Sequence, residues 1–179
     1  MYNREKLLDL ISEHALKRGE FTLASGKKAD YYLDCRTITL HPQGANEVAA
    51  GMLDAIGDDL PAAVGGMAIG ADPITASIVT VAGQRNLPLR GFMVRKEPKG
   101  HGTGKQVEGP VRPGEDVIIV EDVITSGGSA IAAVHAARKF GLNVRRVIAI
   151  IDRLAGGQEA FAKEGLSLTT LCTIKDFDR

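Results

Sequence analysis

The fold is decided by one stretch of the chain, Val117-Ile118-Ile119-Val120-Glu121-Asp122-Val123-Ile124-Thr125-Ser126-Gly127-Gly128-Ser129. Its leading run of β-branched residues predicts a strand that is buried on both faces and is therefore central in a parallel sheet. Two carboxylates follow, and a small-residue loop then leads into a helix that begins at about Ala130. Because ligands of open α/β sheets bind at the carboxyl ends of the strands, this stretch predicts the position of a binding site as well.

The loop of hydroxyl and glycine residues is typical of a phosphate site. Its backbone N–H groups are unobstructed, its hydroxyls can donate, and the dipole of the following helix adds positive potential. Glu121 and Asp122 repel a phosphate but suit hydroxyls, a metal ion or a developing cation. A Gly-Gly turn alone is more simply explained as an ordinary strand-to-helix connection. The hydrophobic run, the acid pair and the loop together fit a phosphorylated ribose, with its diol on the acids and its phosphate on the loop.

Length and composition narrow the class of protein. A chain of 179 residues predicts one domain spanning 1–179. Lys+Arg and Asp+Glu both total 22, and this neutral balance argues against a protein built mainly to bind nucleic acid. Cys35 and Cys172 stand alone without zinc spacing, so we interpret them as reduced thiols. No apolar stretch reaches membrane-spanning length and no signal-peptide pattern opens the chain, so we expect a soluble cytoplasmic protein.

The rest of the chain alternates between helical and strand patterns. Apolar periodicity predicts helices up to about residue 17 and over 43–56, 73–85 and 156–164, and apolar runs predict strands over 62–68, 89–95, 144–151 and 168–173. Gly19 is expected to end the first helix. Two short strands around Ser25-Gly26 predict a hairpin. Asp152-Arg153 follows the strand 144–151 and therefore lies at the predicted binding edge.

A polar segment over 96–109 is predicted as a loop without secondary structure, because it has almost no apolar residue to bury. Many such loops are merely solvated. This one is rich in glycine and in potentially cationic side chains, namely Arg95, Lys96, Lys99, His101 and Lys105. A glycine-hinged cationic loop is suited to close over a diphosphate and exclude water.

The stretch 117–129 and three further segments of the chain resemble a known family of proteins. The stretch 117–129 matches the phosphoribosyl-diphosphate signature of the type I phosphoribosyltransferases. The F-T-L-x-S-G spelling from Phe21, the V-R-K-E-x-K-x-H-G-x-G spelling from Val94, and Asp152-Arg153 resemble the orotate phosphoribosyltransferases among them. The resemblance implies an α/β fold of the type I phosphoribosyltransferase kind. Its central, mainly parallel sheet is flanked by helices, and a small N-terminal hood is formed mainly by about residues 1–40.

The resemblance also implies an enzyme of pyrimidine biosynthesis that transfers the 5-phosphoribosyl group from phosphoribosyl diphosphate to orotate, giving orotidine 5′-monophosphate and diphosphate. The implied cofactor is Mg²⁺, bound mainly through diphosphate and water, with no residue assigned as its ligand. The implied partners are small-molecule substrates and a second copy of the chain, in a homodimer whose loop closes over the neighbouring site; no nucleic acid or membrane is implied.

The site residues implied by the resemblance fall into three groups. Those with a catalytic role are Asp122, Lys96, Lys99 and His101. Those that bind phosphoribosyl diphosphate are Arg95, Lys96, Lys99, His101, Glu121, Asp122, Val123, Ile124, Thr125, Ser126, Gly127, Gly128 and Ser129. Those that bind orotate are Thr125, Arg153, Tyr32 and Leu33.

The chain departs from part of the family at two places. Ala24 stands where many members have lysine, and Ile69-Gly70-Ala71-Asp72 replaces a tyrosine-lysine pair of one subgroup. Two alternatives remain open. A purine phosphoribosyltransferase would leave Arg153 and the hood without a role. A non-catalytic regulator that senses phosphoribosyl diphosphate would be expected to carry a basic face or an added DNA-binding domain.

Overall fold

A computed structural model describes residues 1–22, 28–97 and 105–178 of the chain. Its main sheet has six strands in the order β5-β4-β3-β6-β7-β8. Those strands are β3 (Ala63–Met67), β4 (Arg90–Val94), β5 (Val107–Glu108), β6 (Asp116–Ile124), β7 (Asn143–Asp152) and β8 (Ser167–Thr173). All neighbours are parallel except β5, which runs antiparallel to β4 at the edge. The predicted mainly parallel sheet is therefore confirmed.

The strand β6 lies at the centre of this sheet, between β3 and β7. Val117 and Ile119 join the core on one face of the sheet, and Ile118 and Val120 join the core on the other. Each of these four side chains is at most 3% exposed. The run of β-branched residues thus occupies the doubly buried position predicted for it, because only such a position removes both faces of the strand from water.

Helices cover both faces of the sheet. On one face lie α1 (Arg4–Leu10), α3 (Pro42–Ile56) and α4 (Ala71–Gln84), and on the other lie α5 (Gly128–Phe140) and α6 (Gly157–Lys163). Arg146 of β7 donates to the carbonyls of Ala55 and Ile56, so it satisfies the last two residues of α3. Of the helices that the structure describes, none combines the length and apolar character needed to cross a membrane.

The hood is a small antiparallel hairpin of β1 (Leu16–Thr22) and β2 (Lys28–Leu33), followed by the short helix α2 (Arg36–Thr39). Leu16 pairs with Leu33 and Thr22 with Lys28, so the predicted hairpin is confirmed. Residues 23–27, which include the expected Ser25-Gly26 turn, lie outside the described residues.

Three details differ from the sequence-based expectation. After α1, a π-helical turn over Ile11–Ala15 leads directly into β1, so the expected first helix ends before residue 17. Gly19 ends no helix but lies inside β1 with φ +148°, where the pairing register shifts. The segment expected to lack structure contains β5, because Val107 is 3% exposed and pairs with Val94 at the sheet edge.

Candidate active site

The loop after β6 forms a small concave site. Gly127 has φ +81° and precedes the first residue of α5, which has no side-chain cap among the described residues. A Cβ atom on Gly127 would lie 3.0 Å from Cζ of Phe161, so both conformation and space favour glycine. A cavity of about 190 Å³, here called the loop cavity, is lined by Glu121 and residues 123–130. Uncapped N–H groups and a helix N-terminus facing a cavity give it the chemistry of an anion site.

The two acids of β6 point to different places, because successive side chains alternate along a strand. Glu121 is 4% exposed and lines the loop cavity. Its Oε1 accepts the N–H of Asp122 at 3.2 Å, whereas its Oε2 has no hydrogen-bond partner among the described residues. Burial, and secondarily the neighbouring Asp122 carboxylate, raise the pKa of Glu121 to about 8. Glu121 is therefore largely protonated at neutral pH.

Asp122 lines a second and larger cavity of about 480 Å³, here called the hood cavity. Its walls come from the hood, from the turn after β3, from the end of β4 and from β6; the lining residues are Tyr32, Leu33, Asp34, Cys35, Arg36, Ala68, Ile69, Gly70, Lys96, Asp122 and Val123. Val123 lines both cavities, so the two adjoin. This cavity is therefore lined by five of the residues expected at the site, although they are widely separated in sequence: Tyr32, Leu33, Lys96, Asp122 and Val123.

Arg36 is a cavity residue that the sequence reasoning did not single out. It binds Asp34 through two contacts, Nε to Oδ1 at 2.8 Å and Nη2 to Oδ2 at 2.9 Å. The hydrogen bond from Arg36 is the main reason why the pKa of Asp34 is lowered. The spacing Asp-x-Arg, one residue after the tyrosine pair, was the signal in the sequence that could have revealed this ion pair.

Arg153 lies at the carboxyl end of β7, as expected. Its N–H donates to the carbonyl of Ile124 at 2.9 Å, which brings Arg153 beside Thr125 at the start of the loop. Its Nε donates to Oη of Tyr31 at 2.8 Å, and its guanidinium carbon lies 4.7 Å from the centre of that ring. The predicted pair of Thr125 and Arg153 is therefore adjacent, and Tyr31 joins it as an unpredicted member.

The remaining expected residues do not all converge. Arg95 lines neither cavity, because its Nε turns to Oε1 of Glu108 at 3.2 Å. Lys99 and His101 lie outside the described residues, so their positions relative to the site stay predictions.

A mainly parallel sheet with a small hood and a phosphate-type loop after its central strand is the architecture of a type I phosphoribosyltransferase. No family model matches the chain. The orotate phosphoribosyltransferase of Rhodopirellula baltica is 67% identical over 177 residues, covering 96% of this chain and 92% of that protein. That of Aquifex aeolicus is 43% identical over 179 residues, covering 98% of each. The chain belongs to the orotate phosphoribosyltransferase family.

Solved structures agree with this assignment. The orotate phosphoribosyltransferase of Mycobacterium tuberculosis in complex with 5-phospho-alpha-D-ribosyl 1-diphosphate matches with a TM-score of 0.83 and 32% identity, over 98% of this chain and 99% of that one. An adenine phosphoribosyltransferase from Leishmania tarentolae matches with a TM-score of 0.66 at 14% identity, a likeness of fold alone.

Proposed function

We propose that this protein joins N1 of orotate to C1′ of phosphoribosyl diphosphate, releasing diphosphate and forming orotidine 5′-monophosphate for pyrimidine biosynthesis. The observation that carries the proposal is the position of Arg153 at the carboxyl end of β7, where its backbone N–H bonds the residue before Thr125 and its guanidinium reaches Tyr31 of the hood. The uncapped N-terminus of α5 follows the same loop. A cation beside an anion-type loop fits a base that bears a carboxylate. The purine and sensor alternatives are not supported, since the relatives are named orotate phosphoribosyltransferases over nearly the whole chain.

The ribose phosphate is proposed to bind in the loop cavity. Backbone N–H groups and hydroxyls of residues 125–129 would hold the 5-phosphate, aided by the dipole of α5. Oε2 of Glu121, which has no hydrogen-bond partner within the described part of the chain, supports a polar partner from the substrate, because a buried oxygen without a hydrogen bond is costly. A protonated Glu121 can donate to a ribose hydroxyl as well as accept from one.

The chemical step is proposed to rest on charges placed on both sides of the breaking C1′–O bond. Asp122 lines the hood cavity and would stabilise the oxocarbenium character that develops on the ribose ring. Lys96 lines the same cavity and would stabilise the charge growing on diphosphate. Arg95, Lys99 and His101 are proposed to join Lys96 when the loop closes. The negative charge of orotate at neutral pH lies on its carboxylate, so the proton on N1 passes to water or to the departing diphosphate as the N1–C1′ bond forms.

Mg²⁺ is proposed as the cofactor. Among residues 1–22, 28–97 and 105–178, no three His, Cys, Asp or Glu side chains gather as a metal site. The hard oxygens of Asp122 at the hood cavity fit an ion that is held mainly by diphosphate oxygens and water, as Mg²⁺ prefers. When bound, Mg²⁺ supplies positive charge that lowers the energy of the departing diphosphate.

The base is proposed to lie between the hood and the end of β7. Arg153 can bind the orotate carboxylate through two parallel N–H···O bonds, and Thr125 can bond the pyrimidine edge. Tyr32 and Leu33 line the hood cavity and would border the ring.

Residues 1–179 are proposed to form one domain. A cytoplasmic location is part of the same proposal and agrees with two buried thiols that form no disulfide.

The direct test measures orotate consumption spectrophotometrically with phosphoribosyl diphosphate and Mg²⁺. Robust turnover of adenine, guanine or uracil with none of orotate would refute the proposal. Arg153→Ala should raise the KM for orotate far more than the KM for phosphoribosyl diphosphate. The loss of the contact to the carboxylate should weaken the binding of orotate by about 1.5–3 kcal/mol. Arg145→Ala is the matched control, since Arg145 is exposed near the opposite end of β7. Equal effects of Arg153→Ala on both substrates would exclude it as the carboxylate ligand.

A homodimer with loops exchanged between active sites is proposed from the family resemblance. In that arrangement, Lys99 and Asp122 of one site come from different chains. Mixing inactive Lys99→Ala and Asp122→Asn subunits should then restore activity to about a quarter of wild type, because about half the dimers would carry one intact site. If mass spectrometry verifies exchange and the mixture stays inactive, the loop serves its own chain.

A further inference from the structure

One contact joins the hood to the carboxyl end of β7 and has no place in the reaction as proposed above. The hydroxyl of Tyr31 on β2 accepts from Nε of Arg153 at 2.8 Å, although the two residues are 122 positions apart. The guanidinium also lies over the tyrosine ring, with its carbon 4.7 Å from the ring centre. One side chain therefore offers Arg153 both a hydrogen bond and a cation–π surface.

This contact fixes Arg153 while leaving its binding edge free. The guanidinium is a planar fork, and Tyr31 uses only its Nε–H. Within the described ranges, neither terminal nitrogen of Arg153 donates to a protein acceptor and no carboxylate pairs with it. An arginine can bind a carboxylate bidentately either end-on, through its two terminal nitrogens, or side-on, through Nε and one terminal nitrogen, as Arg36 binds Asp34. Tyr31 occupies Nε of Arg153, so it blocks the side-on mode and leaves the end-on mode free for a carboxylate.

We propose that Tyr31 is a positioning residue that orients Arg153 for the base carboxylate and so helps to select a carboxylated pyrimidine. The inference rests on the proposed function, in which Arg153 binds that carboxylate. An arginine side chain loses considerable rotamer freedom when it is fixed, and Tyr31 fixes it before the base arrives. Selectivity follows because an Arg153 guanidinium that is already oriented increases the affinity only for a ligand that carries a carboxylate.

Tyr31 is itself held by the hood. Its register partner on β1 is Arg18, which donates to the carbonyl of Phe177 and pairs with Asp178 near the end of the chain. The strand that carries the Tyr31 hydroxyl is therefore paired with a strand that contacts Phe177 and Asp178. Support of this kind is what keeps a binding group within the narrow range that recognition requires.

The test compares two ligands that differ only in the carboxylate, orotidine 5′-monophosphate and uridine 5′-monophosphate. Their dissociation constants are measured by calorimetry on the wild type, Tyr31→Phe, Arg153→Ala and the double variant. Tyr31→Phe should weaken the carboxylated nucleotide about five- to tenfold and leave the other unchanged. In the Arg153→Ala background the same replacement should have no further effect, because the group that it positions is gone.

Tyr2→Phe is the matched control. It makes the same chemical change at a tyrosine that packs beside Gly51 and Leu171, outside both cavities, and whose hydroxyl has no hydrogen-bond partner among the described residues. It should change neither constant. Thermal unfolding of every variant checks that the hood remains folded.

Each other outcome overturns the proposal. Equal weakening of both nucleotides by Tyr31→Phe would assign the tyrosine to the structure of the hood, and no weakening of either would show that Arg153 needs no positioning. A wild type that does not prefer the carboxylated nucleotide would remove the proposed role of Arg153 as well. That failure of the proposed function is recognised in the wild type alone, before any Tyr31 variant is measured.

Discussion

Replacing Glu121 by glutamine is expected to remove a pH dependence of stability that the wild type carries. Glu121 is 4% exposed, and burial is the main cause that raises its pKa from 4.5 to about 8. A glutamine side chain would keep the shape of the glutamate and an oxygen that can accept the Asp122 N–H. It would also place an N–H donor where Oε2 of Glu121 now has no partner among the described residues.

The direction of this pH dependence follows from the difference in proton binding between the folded and the unfolded chain. Above pH 4.5 an unfolded glutamate has lost its proton, whereas the folded chain keeps it up to about pH 8. The stability that this proton contributes is therefore fully present below the pKa of Glu121 in the unfolded chain. It is lost as the pH rises towards and through the pKa of Glu121 in the folded protein. At about 1.36 kcal/mol per pKa unit, the free energy of unfolding should fall by about 3 kcal/mol between pH 5 and pH 7.5 because of this group.

The assay is urea unfolding of ligand-free protein from pH 5 to pH 8.5, in buffers without phosphate so that no anion fills the loop cavity. Wild type and Glu121→Gln should be about equally stable at pH 5, and the variant should be about 3 kcal/mol more stable by pH 7.5. Glu159→Gln, at an exposed glutamate in the first turn of α6, should keep the wild-type slope. Parallel pH profiles for wild type and Glu121→Gln would refute the reasoning.

Three further changes test packing and hydrogen bonding, at the site and elsewhere in the fold, by urea unfolding. Gly127→Ala should cost about 1–3 kcal/mol, since φ is +81° and a neighbouring ring must shift; an unchanged midpoint would contradict this. Burial raises the pKa of Glu47, but hydrogen bonds from Lys6 and a backbone N–H bring it below 4.5. Glu47→Gln should therefore lose about 1 kcal/mol near neutral pH and converge with wild type as pH falls, and a constant difference would argue otherwise. Arg146→Met should lose about 1–2 kcal/mol by freeing the last carbonyls of α3. An unchanged midpoint would show that these two hydrogen bonds contribute nothing.

Much of the fold was readable because its signals are local. A β-branched run long enough for one strand has to be buried on both faces, and β6 is. Glycine and hydroxyl residues before a helix predict an anion loop, and the rule for carboxyl ends of parallel strands placed Arg153 at the same edge of the sheet as that loop, where the structure has it. The family assignment followed from the same motifs and is confirmed by relatives that match nearly the whole chain.

The features that sequence patterns missed depend on distant partners. Leu16 became the first residue of β1 because Leu33 pairs with it, and Val107 became part of a strand because Val94 offers an open sheet edge. Arg95 turned to Glu108 for the same kind of reason. Periodicity within a segment contains no information about which other segment will lie beside it.

The sequence by itself determined the main helices, the parallel strands and the central strand, and it predicts the edge of the sheet at which ligands bind, since these follow from local hydrophobic pattern and backbone chemistry. Only the tertiary structure decided that Glu121 and Asp122 line different cavities and that Tyr31, not its neighbour Tyr32, holds Arg153. The reason is physical: burial, and with it the pKa of Glu121, is a property of the packed environment, and a contact across 122 positions exists only after the hood has folded onto the sheet.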